Sequence, residues 1–393
     1  MVQPTEAELQ RRKLVRYNVD TVTNVSNTEY PHFYPGEDHS WDVEKFRNSL
    51  RVQFHSSAQF ESSFSLIGLD ASIANAFRRI LIAEVPTVAI ETIYMAKNTS
   101  LIQDEVLAAR FGLVPLQGSH EGIHWMRWVK KPKEDEKLKE PEEGKGGSKD
   151  GENQQETSAL TDYNTATFSI NVECTWREGG KERFQHGESD PEKLYEHSNV
   201  YARDITFTPA GRQYEYFTGD GAFKPANPDI LLAKLRPGQA IVATMHAHKG
   251  IGADHAKFSP VATASYRLMP SIEILSPIIG ADAKKFARCF PRGVIGLRPV
   301  TAEEAAQGGP YEGQEGQSMA YVADAMRDTV SRECLRHEEF KNKVRLGRVR
   351  DHFICSVESV GQFESDELFV ESVKLLKAKC VRMKRAMARM ATD

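Results

Sequence analysis

The 393-residue chain is poor in the features that most directly declare a function. It has five cysteines (Cys174, Cys289, Cys334, Cys355 and Cys380), odd in number, widely spaced and without a C-x-x-C pair. That excludes a disulfide framework and suits a reducing compartment. No run of 18 apolar residues occurs, and the opening stretch MVQPTEAELQRRKLVRYNV has no apolar h-region. Neither a membrane span nor a signal peptide is therefore expected. Charge of one sign is also lacking: 51 Lys and Arg against 55 Asp and Glu leave a formal net charge of −4. A protein that binds nucleic acid through its overall field is excluded, and a local basic patch is not.

The common catalytic signatures are missing as well. No G-x-x-x-x-G-K-[ST] lies between a strand and a helix, and no G-x-S-x-G, H-E-x-x-H or kinase-type set is present. The glycines of EEGKGGSKDG and KGIG stand outside any such motif. Arg345, Arg348 and Arg350 in VRLGRVRDH form a small basic strip. A solvated face, or pairing with acidic neighbours, accounts for it better than a nucleic-acid site.

What remains is a chain with 40% hydrophobic and 27% charged residues, long enough for two or three domains with a sizeable core. The stretch DASIANAFRRILIAEVPTVAIE reads as an amphipathic helix running into a strand. Ile73, Phe77, Ile80 and Leu81 share one face, Asp70 stands where an N-cap belongs, and Pro86 closes the end. Arg78 and Arg79 lie off that face. Alternation at Leu50, Val52 and Phe54, and again from Phe60 to Leu66, predicts two strands before the helix. A third strand, Thr87 to Lys97, follows it. NTSLIQDEVLAARFGLVPL predicts a second helix with Ile102, Val106 and Ala109 on its apolar face and Gly112 at C′.

From Lys130 to Glu156 the sequence holds 16 charged residues and one large apolar residue, Leu138. Such a stretch cannot bury enough surface to offset its ordering entropy, so it reads as a disordered loop within a folded domain. β-rich sequence resumes with TATFSINVECTW. The chain closes on a strand, DHFICSVESVG, and a helix from about Ser365 to Met390. Along that helix Phe369, Val373, Leu376, Cys380, Met383, Met387 and Met390 step by 4, 3, 4, 3, 4, 3, an unbroken heptad seam. Packing within its own domain and packing on a partner both fit this period, while three methionines favour an adaptable contact surface. Seven seam side chains at roughly 1.5 kcal/mol each give about 10 kcal/mol. Association costs ~4–15 kcal/mol, so a tight complex needs a second interface element. Acidic residues (Glu364, Asp366, Glu367, Glu371) open the helix and Lys or Arg fill the rest, which complements its dipole.

Two constellations could carry chemistry. His246, His248 and His255 in TMHAHKGIGADH form a plausible metal-ligand set, and a metal-dependent enzyme is the rival reading they support. The same alternation describes the polar face of a half-buried strand. His120 and His124 would share a helical face, but Gly122 between them argues against a helix. The second constellation, GADAKKFARCFPRGVIGL, resembles the close of a ferredoxin-type motif, C-x2-C-x2-C-x3-C-P. Anchored on Pro291, the four ligand positions fall on Gly280, Ala283, Phe286 and Phe290. None is cysteine, Cys289 is one residue out of register, and RDTVSRECLRHEEF adds only Cys334. A redox protein with a ferredoxin-like domain is the second rival and a homodimeric adaptor the third.

DASIANAFRRILIAEVPTVAIE, LIQDEVLAARFGLVPL, and HAKFSPVATASYRLMP with its cysteine-poor ferredoxin remnant together resemble the α-like (D-type) subunits of cellular RNA polymerases. The likeness is greatest to the larger α-like subunits shared by eukaryotic RNA polymerases I and III, and VRDHFICSVESVG and the heptad helix continue it. The resemblance implies an α+β fold: a discontinuous α-like dimerisation domain, of mixed sheet plus two long helices, with a β-rich insertion domain and a degenerate ferredoxin-like segment. The implied order begins with an N-terminal tail (1–47) and a first stretch of the dimerisation domain (48–85). The insertion domain (86–275, with the 130–156 loop) and the ferredoxin-like segment without cluster ligands (276–349) follow. A second stretch of the dimerisation domain (350–393) closes the chain.

By the same resemblance the chain is a non-catalytic subunit that heterodimerises with a smaller α-like polymerase subunit. Ile73, Phe77, Ile80, Leu81, Phe369, Val373, Leu376, Cys380, Met383 and Met387 would form the dimer contact. Arg78 and Arg79 would face the second-largest polymerase subunit. Small zinc-binding polymerase subunits would be further partners, with no cofactor, no membrane and no sequence-specific nucleic-acid contact of its own. The expected location is the nucleus, including the nucleolus. Archaeal members can hold an iron–sulfur cluster at the ferredoxin positions, and this chain departs from them at each aligned ligand.

Overall fold

The structure, a computed structural model, describes residues 5–26, 34–38, 40–129, 160–306 and 311–390. The loop expected at 130–156 lies outside the described residues. In chain order, the elements that matter below begin with helix α1 (Glu6–Lys13), strands β1 (Leu14–Tyr17) and β2 (Val22–Thr23), helix α2 (Val43–Ser49), and strands β3 (Arg51–Ser57) and β4 (Glu61–Ile67). Helix α3 (Ala71–Ala83), strand β5 (Thr87–Asn98), helices α4 (Asp104–Gly112) and α5 (His120–Trp125) follow. Next come strands β6 (Thr165–Glu173), β7 (Thr206–Thr208), β8 (Ala240–Gly250) and β9 (Val261–Ile274). Helix α6 (Ala281–Arg288), strand β10 (Val344–Ser359) and helix α7 (Ser365–Met390) complete the set.

The chain divides into two compact units. The first comprises 1–57, 63–78 and 265–356, and the second 58–62, 79–264 and 357–393. The boundaries fall at the end of β3 and inside β4, α3, β9 and β10. The 276–349 segment falls in the first unit with β3, and α7 in the second with the 86–264 stretch.

The first unit is built on a sheet of order β2-β1-β10-β4-β3, with β9 also paired to β10. β1 lies in the stretch expected to be a tail. It pairs antiparallel with β10, Val15 opposite Arg348 and Tyr17 opposite Leu346, and Val15 is buried. Four residues with one buried side chain give no readable alternation, so the sequence did not betray this strand. β4 is buried on both faces from Phe64 to Leu66.

The segment that resembles a ferredoxin close is filled with hydrocarbon. Ala283, Phe286, Cys289, Phe290, Cys334 and Phe340 belong to one buried cluster. The Phe286 ring lies 5.0 Å from Phe290 and 5.3 Å from Phe340 in edge-to-face contact. Two of the four aligned ligand positions are thus phenylalanines packed against one another, and Gly280 supplies only the positive φ (65°) that opens α6. Phe286→Ala should lower stability by about 3–5 kcal/mol through a cavity the rigid neighbours cannot close. Urea unfolding measures this, and a loss under about 1 kcal/mol would contradict the packing described.

The second unit holds an antiparallel sheet of order β7-β6-β8-β5. Ala243, Met245 and Ala247 of β8 are buried, as their alternation predicts. α4 packs on β5 through Leu107 and Phe111, both fully buried. The expected face was the wrong one: Val106 and Ala109 are exposed, and Ile102 precedes the helix. LIQDEVLAARFGLV carries two interleaved apolar stripes, and only packing chooses between them. Gly112 is the last residue of α4 and is followed by an αR cap at Leu113, so no left-handed C′ glycine is used. α5 is helical despite Gly122: Ser119 caps it by accepting from the Gly122 N–H, and a Cβ at 122 would lie 2.4 Å from the Phe217 ring. Close packing requires the glycine, and the two histidines do share a helix.

Candidate assembly interface

α7 is helical because nothing in its 26 residues breaks it: no glycine or proline interrupts, and Asp366 and Glu367 complement the first turn. Its start is held firmly within the second unit. The Ser365 backbone N–H donates to the Gln59 carbonyl at 3.0 Å, and Ser365 Oγ donates to the Ala58 carbonyl at 2.9 Å. Ser365, Leu368 and Ser372 form its buried face. Two histidines of α5 meet two carboxylates one turn apart: His120 Nε2 is 3.5 Å from Glu367, and His124 Nε2 is 3.6 Å from Glu371. The His120 ring also packs on buried Phe363 at 4.6 Å. Lys379, further along the helix, pairs with Glu84. From Cys380 to Met390 every residue is exposed.

The heptad seam lies one residue away from this buried face. Phe369 and Leu376 are half-buried, Val373 and Cys380 are exposed, and Met383 and Met387 are 68% and 62% exposed. The last 11 residues therefore offer an apolar stripe roughly 15 Å long, at about 1.5 Å per residue, flanked by Lys and Arg. Isolated helices of this length are marginal in water. A contiguous apolar stripe on a projecting helix is the signature of a contact surface.

α3 is capped as expected: the Ser72 N–H donates to Asp70 Oδ2 at 3.0 Å. Its apolar residues divide. Ile80 and Leu81 are only 2% and 3% exposed and belong to the chain's own core, whereas Ile73 and Phe77 are half-buried. Ile80 and Leu81 are thus not surface available to another chain; helical periodicity cannot separate the two uses of an apolar face. Arg78 is half-buried and donates to Asn75 Oδ1 at 2.9 and 3.1 Å, and Arg79 is exposed.

The three histidines considered as metal ligands have separate settings. His246 on β8 stands between Thr92 and Thr167 and meets the Tyr94 ring edge-on at 5.2 Å. His248 Nδ1 lies 3.3 Å from Thr165 Oγ1 and 3.2 Å from the Asn164 carbonyl. His255 Nδ1 accepts from the Lys257 N–H at 3.1 Å, capping a short 3₁₀ turn. Among the described residues no group of three or more His, Cys, Asp or Glu side chains is arranged to hold a metal ion. Nor is any described helix long and apolar enough to cross a membrane.

This arrangement, a mixed α+β body from which a helix presents an apolar seam, is that of a subunit built to associate. The chain belongs to the RNA polymerase Rpb3/Rpb11 dimerisation domain family, whose sequence profile matches residues 63–380. It is similar to the DNA-directed RNA polymerases I and III subunit RPAC1 of Saccharomyces cerevisiae, 46% identical over 370 residues that cover 94% of this chain and 96% of that protein. The RPAC1 subunit of Homo sapiens is 41% identical over 364 residues, 92% of this chain and 91% of that protein. DNA-directed RNA polymerase II subunit rpb3 of Dictyostelium discoideum is more distant, 24% identical over 332 residues, 83% of this chain and 90% of that protein. The resemblance drawn from the sequence motifs agrees with these findings.

The cysteines supply a readout of the seam. Cys174, Cys289, Cys334 and Cys355 are buried, and burial raises each thiol pKa, to about 12 for Cys334 and Cys355. Cys380, on the seam, is exposed. A water-soluble thiol reagent should label the native chain once, at Cys380, and the other four only after unfolding. Rapid labelling of a second cysteine would contradict the burial described. The raised values also make stability fall as pH rises above about 9, where unfolded thiols begin to ionise and folded ones do not.

Proposed function

We propose that the chain is a non-catalytic assembly subunit of DNA-directed RNA polymerases I and III. It heterodimerises with a smaller α-like subunit, and the pair forms the platform on which the second-largest subunit docks. The observation that carries this reading is the exposed seam of α7, a row of apolar side chains left open to solvent by the described residues. The matching family is one of dimerisation domains, and relatives covered almost end to end are named as subunits of polymerases I and III.

In this reading Phe369, Val373, Leu376, Cys380, Met383 and Met387 meet the partner, with Ile73 and Phe77 contributing from α3. Ile80 and Leu81 support that helix from within the core. Arg78 and Arg79 face the second-largest subunit. Small zinc-binding subunits complete the assembly, nucleotide transfer belongs to the two largest subunits, and the protein acts in the nucleus, including the nucleolus. Nothing in the arrangement of His246, His248 and His255 favours the metal-enzyme alternative, and a core of phenylalanines at the ferredoxin positions gives no support to the redox alternative.

Met383→Asp/Met387→Asp should weaken heterodimer affinity by about a hundredfold or more, since two buried methionines at ~1.5–3 kcal/mol each are lost. The lone chain should keep its melting temperature, because both side chains are exposed in it. Arg78→Ala/Arg79→Ala should leave the heterodimer intact and weaken capture of the second-largest subunit. Calorimetric titration and pull-down with purified subunits measure both effects. Wild-type affinity in the double-Asp variant would refute the seam as the interface, and unimpaired capture in the double-Ala variant would refute the arginine assignment.

A further inference from the structure

Residues 41–57, in the unit that does not hold α7, carry a second surface without cover among the described residues. β3 is the terminal strand of its sheet, with β4 on one side and no described strand on the other. A terminal strand presents a row of backbone donors and acceptors that another strand satisfies. Every residue of β3 is exposed, although β4 beside it is buried on both faces. Natural edges are commonly blunted by proline or lysine. β3, RVQFHSS, has neither, and its apolar residues Val52 and Phe54 remain 48% and 47% exposed.

The strand is held in place. The Phe54 ring packs on Phe64 of β4 at 5.3 Å, so the exposed apolar side continues the packed face of the sheet. On the opposite face His55 Nε2 lies 2.7 Å from Ser65 Oγ, which His352 Nε2 approaches at 2.8 Å. An amphipathic edge already tied to its neighbours needs little further ordering on binding.

Charge selects the occupant. Lys45, Arg47 and Arg51 are exposed and take part in no ion pair among the described residues. The two carboxylates of the segment, Asp42 and Glu44, stand at the opposite end of α2, where Asp42 caps the helix by accepting from the Glu44 N–H at 2.9 Å. Arg47 and Arg51 are left to define a positive end of the edge.

We propose that β3 accepts an extended strand from another polypeptide of the assembly. That strand is apolar at alternate residues, covering Val52 and Phe54, and acidic where it passes Arg47 and Arg51. Hydrogen bonding along the edge calls for a strand rather than a helix, and the exposed cations call for an acidic one. The proposal rests on the chain being a member of a multisubunit assembly but not on the α7 heterodimer.

Hydrogen–deuterium exchange of the full-length chain, isolated and within purified polymerase, tests it. The backbone amides of residues 51–57 should exchange at least about tenfold more slowly in the polymerase. Arg47→Glu/Arg51→Glu, at two exposed positions, should return them to the rate of the isolated chain. Unchanged exchange at 51–57 in the polymerase overturns the proposal. So does protection that persists in the charge-reversed variant, which removes the acidic partner. Protection that appears in the isolated chain and grows with its concentration assigns the edge to a second copy instead, and also overturns it. The amides of 380–390 report separately on α7: protection there without protection at 51–57 refutes the edge proposal and leaves the heterodimer reading standing.

Discussion

The anchoring of the first two turns of α7 is the interaction on which the rest of the functional account depends. Leu368 and Ser372 seat the helix, Ser365 ties its start to the backbone of residues 58 and 59, and His120 and His124 meet Glu367 and Glu371. Pairs with at least one exposed partner contribute little stability each, about 0–1 kcal/mol. Their value is geometric, since two pairs one turn apart fix both the direction and the rotation of the helix. With the buried face set, the seam one residue away has to look outward. Eleven further residues, all exposed, then continue the helix.

A helix so placed is a costly feature for a chain acting alone. Its end is too short to be firmly helical in water, and its methionines expose apolar surface that favours aggregation. Both costs vanish when a partner covers the seam, and the flexible thioether side chains suit an imperfectly matched surface. The ferredoxin positions, filled by phenylalanines, belong to a packed core.

Much of this was legible in the sequence. The bounds of α3, β5 and α7 follow from long periodic runs with a cap at Asp70 and a stop at Pro86, and local rules suffice there. The seam of α7 was legible for the same reason. What failed did so where one pattern serves two purposes. Ile80 and Leu81 repeat with the right period whether they face the chain's own core or another chain. Val106 and Leu107 are neighbours on two competing stripes of α4. Gly122 sits within a helix because Phe217 leaves no room for a Cβ there, a packing constraint that no local propensity announces. The pairing of His120 with Glu367 joins residues far apart in the chain, and no local signal announces it. Nor does any signal in LVRY announce a strand whose only buried side chain is Val15.

The most direct measurement is light scattering behind size exclusion on the chain expressed alone and co-expressed with a smaller α-like polymerase subunit. An unsatisfied seam predicts a 1:1 heterodimer from co-expression, and a lone chain that aggregates or is poorly soluble. A stable monomer or homodimer that ignores the partner would contradict the claim that α7 is one half of an interface.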